Sequence, residues 1–177
     1  MRLPGDPLPE ETAARMIRVD HAGEYGAARI YAGQLAVLGR SEHAPVLRHM
    51  QEQEKQHLQR FEDLLVRRRV RPTALLPLWH VAGFTLGAAT AALGARAAMA
   101  CTVAVEEAID RHYANQAEAL DETETDLRET IERFRAEELE HRDIGLTHGA
   151  AQAPAYRLLK AAIKAGCRVA IALSERI

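Results

Sequence analysis

Two short motifs of the sequence pair a carboxylate with an imidazole one helical turn apart. Glu54 and His57 form one Glu-x-x-His motif, and Glu138 and His141 form the other. Positions i and i+3 of an α-helix lie on the same face, so the two side chains of each motif can bind one metal ion. A chain this rich in Glu and His contains about one such pair by chance, so the motifs alone are weak evidence.

The apolar pattern around the motifs makes the metal prediction stronger. In each helix the Glu and the His belong to an apolar stripe whose members are spaced alternately by three and four residues. One stripe contains Leu47, Met50, Glu54, His57, Phe61 and Leu64, and the other contains Leu127, Ile131, Phe134, Glu138, His141 and Gly145. A Glu on such a stripe points into the core, where an ionised carboxylate is costly unless it is paired or binds a metal.

A single Glu on an apolar stripe of its own precedes each motif by about thirty residues. These residues are Glu24, in line with Ile17 and Tyr31, and Glu106, in line with Val103 and Tyr113. The repeated order indicates two helical hairpins related by a pseudo-two-fold axis. One Glu from each of two helices plus two Glu-x-x-His pairs is the pattern of ferritin-like di-iron bundles. We therefore predict a two-metal site with the ligands Glu24, Glu54, His57, Glu106, Glu138 and His141.

The helix signals predict an all-α fold with no strands. The first two helices are predicted at about 11–38 and 44–68. A short third helix ends near Gly94, and a fourth continues from there to Leu120. The last two are predicted at 124–146 and from Pro154 almost to Ile177. No segment alternates with period two for long. We expect a ferritin-like four-helix bundle with an additional apolar helix and a C-terminal helix. It would form a single domain over residues 11–177, after a flexible leader of residues 1–10.

Net charge, cysteine positions and the N-terminal residues indicate the partners and the compartment of the protein. The formal charge of −2 gives no overall attraction to nucleic acid. Cys101 and Cys167 are far apart in sequence, as expected for small core residues in a reducing compartment. The N-terminus lacks the basic or apolar run of a targeting peptide. The protein is therefore predicted to stay in a bacterial cytoplasm, unless a presequence has been removed.

Each of the other polar residues near the predicted ligands can be interpreted in two ways. Tyr25 and Tyr113 are either oxidisable groups beside the metals or core tyrosines with a bonded hydroxyl. Asp20 and Asp143 either orient a ligand imidazole or lie on solvated helix faces. His112 and Tyr113 are predicted pocket residues, as is His21. Four acids are predicted either to be solvated or to contact a ligand residue from outside the ligand set, namely Glu52, Glu107, Glu137 and Glu140. Four histidines are predicted to lie on the surface, namely His43, His49, His80 and His148.

Longer motifs resemble a known family. The runs are IRVDHAGEYGA (17–27), IYAGQLAVLGR (30–40), QEKQHL (53–58), RVRPT (69–73), AMACTVAVEEAI (98–109), RAEELEHRDIGL (135–146) and residues 153–177. They resemble the demethoxyubiquinone hydroxylases, a ferritin-like di-iron carboxylate family of ubiquinone biosynthesis. The resemblance covers nearly the whole chain except the first ten or so residues and the acidic 118–130 region.

The resemblance implies more than the spacing does. It implies an O2-dependent monooxygenase that hydroxylates the ring of demethoxyubiquinol in the penultimate step of ubiquinone biosynthesis. Two iron ions would be held by the six residues above, so that Glu24, Glu54, Glu106 and Glu138 act in catalysis through the metals. NADH is the implied reductant, although no nicotinamide site can be placed. A lipid-presenting partner protein is also implied, and a homo-oligomer remains open.

Residues 74–95 are apolar and carry no charged side chain, and Arg67, Arg68, Arg69 and Arg71 stand before them. The stretch is marginal as a spanning helix. We predict that it lies at a membrane interface, as does the C-terminal helix with Lys160, Lys164 and Arg168 opposite an apolar face. The substrate would then enter from the cytoplasmic face of a bacterial inner membrane, or from the matrix side of a mitochondrial one. A buried helix or a dimer interface would explain the same pattern.

Three other functions use the same kind of bundle. An iron-storage or peroxide-handling ferritin-like protein would share the ligands without needing the apolar segment. A manganese catalase would differ in the metal, which the ligands alone do not decide. A non-enzymatic interaction bundle would not need inward carboxylates.

Overall fold

The computed structural model describes residues 7–177, which form six α-helices and a single turn of 3-10 helix. The helices are α1 (Pro9–Leu38), α2 (Ala44–Arg68), α3 (Leu76–Ala92), α4 (Ala95–Ala119), α5 (Thr125–Thr147) and α6 (Tyr156–Ser174), with the 3-10 turn at Ala150–Gln152. No strand occurs in residues 7–177, which confirms the all-α prediction.

The predicted boundaries differ from the structure mainly at two helix starts. α1 begins at Pro9 instead of residue 11, because proline is well accommodated in the first helical turn. Residues 1–6 of the predicted leader lie outside the described residues. α6 begins at Tyr156 instead of Pro154, because Ala155 adopts a left-handed conformation with φ of 51°. The 3-10 turn before α6 was not predicted.

The six helices form two similar units of three. In the first unit α2 and α3 both pack against α1, and in the second unit α5 and α6 both pack against α4. α1, α2, α4 and α5 form the four-helix bundle, while α3 and α6 are the additional helices. The pseudo-two-fold relation predicted for the two hairpins therefore extends to a third helix in each half.

The predicted ligand residues lie between two apolar clusters of the bundle core. The cluster towards one end includes Ile17, Phe61 and Leu127. The cluster towards the other end includes Met50 and Met99. Along each bundle helix the predicted ligands come between or beside members of these clusters, so burial is imposed on them by the packing on either side.

Close packing of α3 against α1 requires glycine at the contact. A Cβ on Gly87 would overlap the carbonyl oxygen of Ile30, and a Cβ on Gly33 would overlap that of Phe84. The backbones can therefore approach more closely than side chains would allow. One face of the apolar segment 74–95 is thus buried on α1, while Leu78 and Val81 on its other face are exposed. Within residues 7–177 no helix is both long and apolar enough to span a membrane.

Candidate metal centre

All six predicted ligand residues converge in the middle of the bundle, and none is more than 1% exposed. They form two overlapping groups whose ligand atoms lie within 4.8 Å of one another. The groups are Glu24, Glu54, His57 and Glu138, and Glu54, Glu106, Glu138 and His141. Two carboxylates are common to both groups, and one Glu and one His complete each end. Each group could therefore hold one cation, with two carboxylates available to both, which matches the ligand pattern of ferritin-like di-iron bundles.

Buried oxygen atoms without hydrogen-bond donors show that the donor set fits cations. Neither carboxylate oxygen of Glu54 accepts a hydrogen bond, and one oxygen of each of the other three glutamates accepts none either. A histidine Nδ1 atom lies 3.1–3.5 Å from three of these oxygens, as an ion-pair contact only. Leaving such an atom unsatisfied costs about 1–3 kcal/mol, and more when it is charged. Within residues 7–177, the cationic side chains that reach these carboxylates are the two histidines. Two divalent ions would balance the four carboxylate charges.

Protons take the place of cations when no metal is bound. Burial, together with the charges of neighbouring carboxylates, raises the pKa of Glu54 and of Glu106 well above its usual value. Burial disfavours the His57 cation, yet hydrogen bonds with Glu138 and Glu24 raise the pKa of His57 to about 12. Burial opposes ionisation of Glu138 too, but its hydrogen bonds with His141 and His57 bring its pKa to about 2. At neutral pH the metal-free centre therefore holds protons.

Two tyrosine hydroxyls bind the two lone glutamates. Tyr113 on α4 donates to Glu24 on α1, and Tyr31 on α1 donates to Glu106 on α4 at 2.9 Å. Each tyrosine follows the Glu of its own helix by seven residues and binds the Glu of the other helix. Tyr113 was predicted to lie near the site, whereas Tyr31 was treated only as part of an apolar stripe. The double Glu-x6-Tyr spacing was the signal that could have identified both.

Two side chains outside the ligand set orient the imidazoles. Gln53 was not singled out from the sequence, whereas contact with a ligand residue was one of the two roles predicted for Glu137. His57 Nε2 lies 2.5 Å from Glu137 Oε2, and His141 Nε2 lies 3.0 Å from Gln53 Oε1. With Nε2–H donating outward, the Nδ1 atom of each ring is free to face the carboxylate cluster. His57 Nδ1 is 3.1 Å from Glu138 Oε1. Each partner directly precedes the motif Glu of the opposite hairpin, so each hairpin orients the histidine of the other.

The predicted pocket residue His112 belongs to a separate polar cluster beside the centre. Asp20 is buried and accepts hydrogen bonds from His112 Nε2 at 3.2 Å and Gln116 Nε2 at 2.8 Å. Burial raises the pKa of Asp20. Asp20 therefore binds His112, and does not orient a ligand imidazole. The rings of His112 and Tyr113 have centroids 6.2 Å apart, and neither residue lines the apolar cavity between α1, α3, α4 and α6.

Three more polar residues considered from the sequence lie away from the centre. The Tyr25 hydroxyl is 2.7 Å from Nδ1 of His80 on α3, at an exposed position. Asp143 is exposed and pairs with the adjacent Arg142. Glu107, the closest competitor of Glu106 in sequence, points away from the bundle towards α6. Despite its partial burial, ion pairs there lower the pKa of Glu107.

An apolar cavity of about 530 Å³ lies between α1, α3, α4 and α6, two of which carry the lone glutamates. Its lining includes Gly23 and Val105, which directly precede the two lone glutamates in sequence. α3 contributes Trp79, and α6 contributes Ile163 and Cys167. The volume falls within the range of pockets for small organic ligands. The two additional helices thus form the outer walls of a site next to the carboxylate cluster.

Replacing Glu137 tests whether it orients His57. Glu137→Ala is expected to weaken binding of Co(II), a spectroscopic probe for the site, by about tenfold, because the ring loses the partner that fixes it. Anaerobic titration followed by cobalt absorption measures the affinity. The matched control is Glu140→Ala, which removes an exposed carboxylate from the same helix. Equal affinity in the two variants would contradict the orienting role.

Metal loading is expected to release protons at neutral pH, because cations displace the protons that the raised pKa values retain. Titration of metal-free protein with Co(II) in weakly buffered solution and a pH indicator measures the release. The same raised pKa values make the stability of the metal-free protein depend on pH. Glu54 and Glu106 stabilise the metal-free fold at pH values below their unfolded pKa, and that stabilisation is lost as the pH rises through their folded pKa. Glu54→Gln should release fewer protons, and loading without any release would contradict the protonated metal-free state.

Comparison with known proteins adds a family. The family model for ubiquinone biosynthesis protein COQ7 matches residues 11–174. The chain is 61% identical over 177 residues to a 3-demethoxyubiquinol 3-hydroxylase of Rhodospirillum rubrum, covering 99% of this chain and 84% of the relative. It is 59% identical over 176 residues to the human mitochondrial NADPH-dependent 3-demethoxyubiquinone 3-hydroxylase, covering 97% and 81%. The yeast mitochondrial 5-demethoxyubiquinone hydroxylase is 46% identical over 180 residues, covering 92% and 77%. The chain belongs to the COQ7 family of ubiquinone biosynthesis proteins.

Proposed function

We propose that the protein is an O2-dependent monooxygenase that hydroxylates the ring of demethoxyubiquinol in the penultimate step of ubiquinone biosynthesis. The observation that carries the proposal is a buried carboxylate–histidine centre whose helices α1 and α4 also line an apolar cavity, in a member of the COQ7 family. The names of the relatives supply the substrate, a demethoxyubiquinol or demethoxyubiquinone.

Two iron ions are the cofactor that we propose for the centre. Glu54 and Glu138 would bind both ions, Glu24 and His57 would complete one position, and Glu106 and His141 would complete the other. When bound, the pair of ions would supply the activation of O2 for ring hydroxylation. The donor set of carboxylates and imidazoles suits iron, and it also suits manganese. The hydroxylase names of the relatives favour iron over a manganese catalase.

The protein's own residues have identifiable tasks at this centre. Tyr113 and Tyr31 hold a proton at each phenol oxygen and donate it in hydrogen bonds to Glu24 and Glu106. These bonds keep the lone carboxylates in one orientation. The outward hydrogen bonds of the two histidines keep Nδ1 of each ring towards the cations. The apolar walls of the cavity exclude water from the side on which the quinol ring would approach.

The cavity accounts for the substrate better than a storage function would. A polyprenylated quinol needs an apolar space beside the metals for its ring and an open side for its tail. An iron-storage or peroxide-handling ferritin-like protein would share the carboxylates, but its small polar substrates have no use for about 530 Å³ of apolar cavity. The hydroxylase is therefore the function that we favour.

The reductant that we propose is a reduced nicotinamide nucleotide. The family resemblance favoured NADH, while the names of several relatives, including the human protein, specify NADPH. Within residues 7–177 there is no strand that could begin a dinucleotide-binding βαβ unit. Oxidation of NADH and of NADPH by the iron-loaded protein with substrate, compared at equal concentrations, decides between the two.

A membrane surface is the place where we propose that the protein meets its substrate. Leu78 and Val81 of α3 and Leu158 and Val169 of α6 are more than half exposed, on the two helices that form the outer cavity walls. This supports peripheral docking on the bacterial inner membrane from the cytoplasm, or on the mitochondrial inner membrane from the matrix. Several relatives, including the human and yeast proteins, carry mitochondrial names. A lipid-presenting partner and a homo-oligomer remain proposals.

Three of the basic residues predicted to contact lipid headgroups instead form ion pairs within the protein. Arg68 forms two hydrogen bonds with Glu124, at 3.0 and 2.7 Å. Lys160 and Lys164 both bind Glu107, at 3.0 and 2.6 Å. These three residues tie helices together, so the apolar faces of α3 and α6 carry most of the docking proposal.

Complementation tests the reaction directly. Expression of the protein in a strain that lacks demethoxyubiquinone hydroxylation should restore ubiquinone, measured by chromatography of extracted quinones. Glu138→Ala should fail to restore it, because both metal groups lose a shared carboxylate. Glu140→Ala is the matched control and should restore it. Accumulation of demethoxyubiquinone with the unaltered protein would reject the proposed reaction.

Vesicle sedimentation tests the docking surface. Val81→Glu and Val169→Glu should reduce binding to vesicles of anionic phospholipid several-fold, because a charge replaces apolar contact with the bilayer. Leu146→Glu on α5 is the control, since Leu146 is also exposed but lies outside the two docking helices. Equal binding by all three variants would exclude these faces as the contact.

A further inference from the structure

Three glycines in helix interiors are explained neither by packing nor by backbone conformation. They are Gly23 and Gly26 of α1 and Gly166 of α6. Glycine within a helix is unfavourable relative to alanine, so a specific reason for it is expected. A Cβ at each of the three would meet nothing within 4 Å, unlike a Cβ at Gly33 or Gly87. None of the three has the positive φ that would favour glycine.

All three glycines line the apolar cavity beside the proposed metal centre. Gly23 and Gly26 are three residues apart on α1 and so present the same face, while Gly166 comes from the α6 wall. Gly23 and Gly26 are half-buried, so the open space above them belongs to the cavity, while Gly166 is exposed and borders both the cavity and solvent. Gly23 directly precedes Glu24, which brings this end of the cavity close to the proposed ligands.

We propose that Gly23, Gly26 and Gly166 determine substrate specificity by setting the width of the cavity where the quinol ring lies. The inference rests on the proposed function and adds to it the residues that admit a substituted ring. A flat aromatic ring with methoxy and methyl substituents needs more lateral room than a prenyl chain. Methyl groups on α1 and α6 would project into that room from both sides. Glycine at these three positions lowers helix stability relative to alanine but leaves the space unfilled.

Alanine at these positions should therefore stabilise the fold and weaken binding of the substituted ring. Gly23→Ala, Gly26→Ala and Gly166→Ala are each expected to raise the Tm of the iron-loaded protein by about 2–4 °C. Gly87→Ala, which forces a Cβ against backbone, should lower the Tm. Iron content should remain that of the unaltered protein in all three cavity variants.

Binding can be read without catalysis, because Trp79 is the single tryptophan of the chain and lines the cavity. Quenching of its fluorescence by a short-tailed demethoxyubiquinone gives a Kd under anaerobic conditions without reductant. Gly23→Ala should raise that Kd about tenfold, as expected when overpacking costs about 1.4 kcal/mol. The loss should be smaller for a benzoquinone with the same tail and no ring substituents.

Ala165→Val provides the matched control, since it adds bulk to an exposed residue of α6 that does not line the cavity. Its Kd should equal that of the unaltered protein. If the unaltered protein binds the quinone and the three glycine variants bind equally well, the width proposal is wrong and the proposed function stands. If the variants have a lower Tm, or if their Kd rises equally for both quinones, the glycines have a structural role and the proposal also fails. If the unaltered protein binds neither quinone, the proposed function fails with it.

Discussion

Burial of four carboxylates in one small volume is the constraint on which the rest of this molecule depends. Transferring an ionised carboxylate from water to a protein interior costs several kcal/mol, and each further negative charge nearby adds to that cost. Only two histidines among the described residues offset the charge directly. The centre therefore needs either protons or divalent cations, and the two states exchange when metal binds. Packing on both sides of the centre prevents the glutamates from turning outward.

The pseudo-two-fold arrangement explains why neither half of the chain can make the site by itself. Each lone Glu accepts a hydrogen bond from a tyrosine of the other half, and each histidine is oriented by a residue of the other half. The two halves differ at one of these positions, where Glu137 corresponds to Gln53. A carboxylate partner makes an imidazole a stronger electron donor than an amide partner does. The two proposed metal positions would therefore differ chemically although their candidate ligands are of the same types.

Most of the helices could be predicted from the sequence because apolar periodicity and local breakers are strong signals. The bounds of α2 agree with the prediction at both ends, and α3 and α4 are separated at Gly94 as expected. The start of α6 was misplaced, because the left-handed conformation of Ala155 depends on the chain path after the 3-10 turn and leaves no mark in the sequence. Apolar periodicity and helix-breaking residues do not reveal that chain path.

The six candidate ligands were selected from the sequence by helical register, and the structure brings them together, while their binding of iron remains a proposal. Contacts between helices were predicted less well. Tyr31 was treated as apolar packing and Gln53 was not considered, because their partners lie on helices far along the chain. For Glu137 the sequence left both a solvated position and contact with a ligand residue open. Asp20 and Asp143 were close to the histidines in sequence or register, yet neither points at a ligand ring. The resemblance implied an apolar pocket, but its walls could not be predicted, since the cavity exists only where α3 and α6 pack against α1 and α4.

The number of metal ions bound per chain tests the central claim most directly. Anaerobic titration of metal-free protein with Fe(II), followed by metal analysis after removal of unbound ion, measures it. The shared carboxylates predict two ions per chain, and Glu54→Ala should reduce the number below one because both groups lose a ligand. One ion per chain, or none, in the unaltered protein would contradict the account of a two-metal centre.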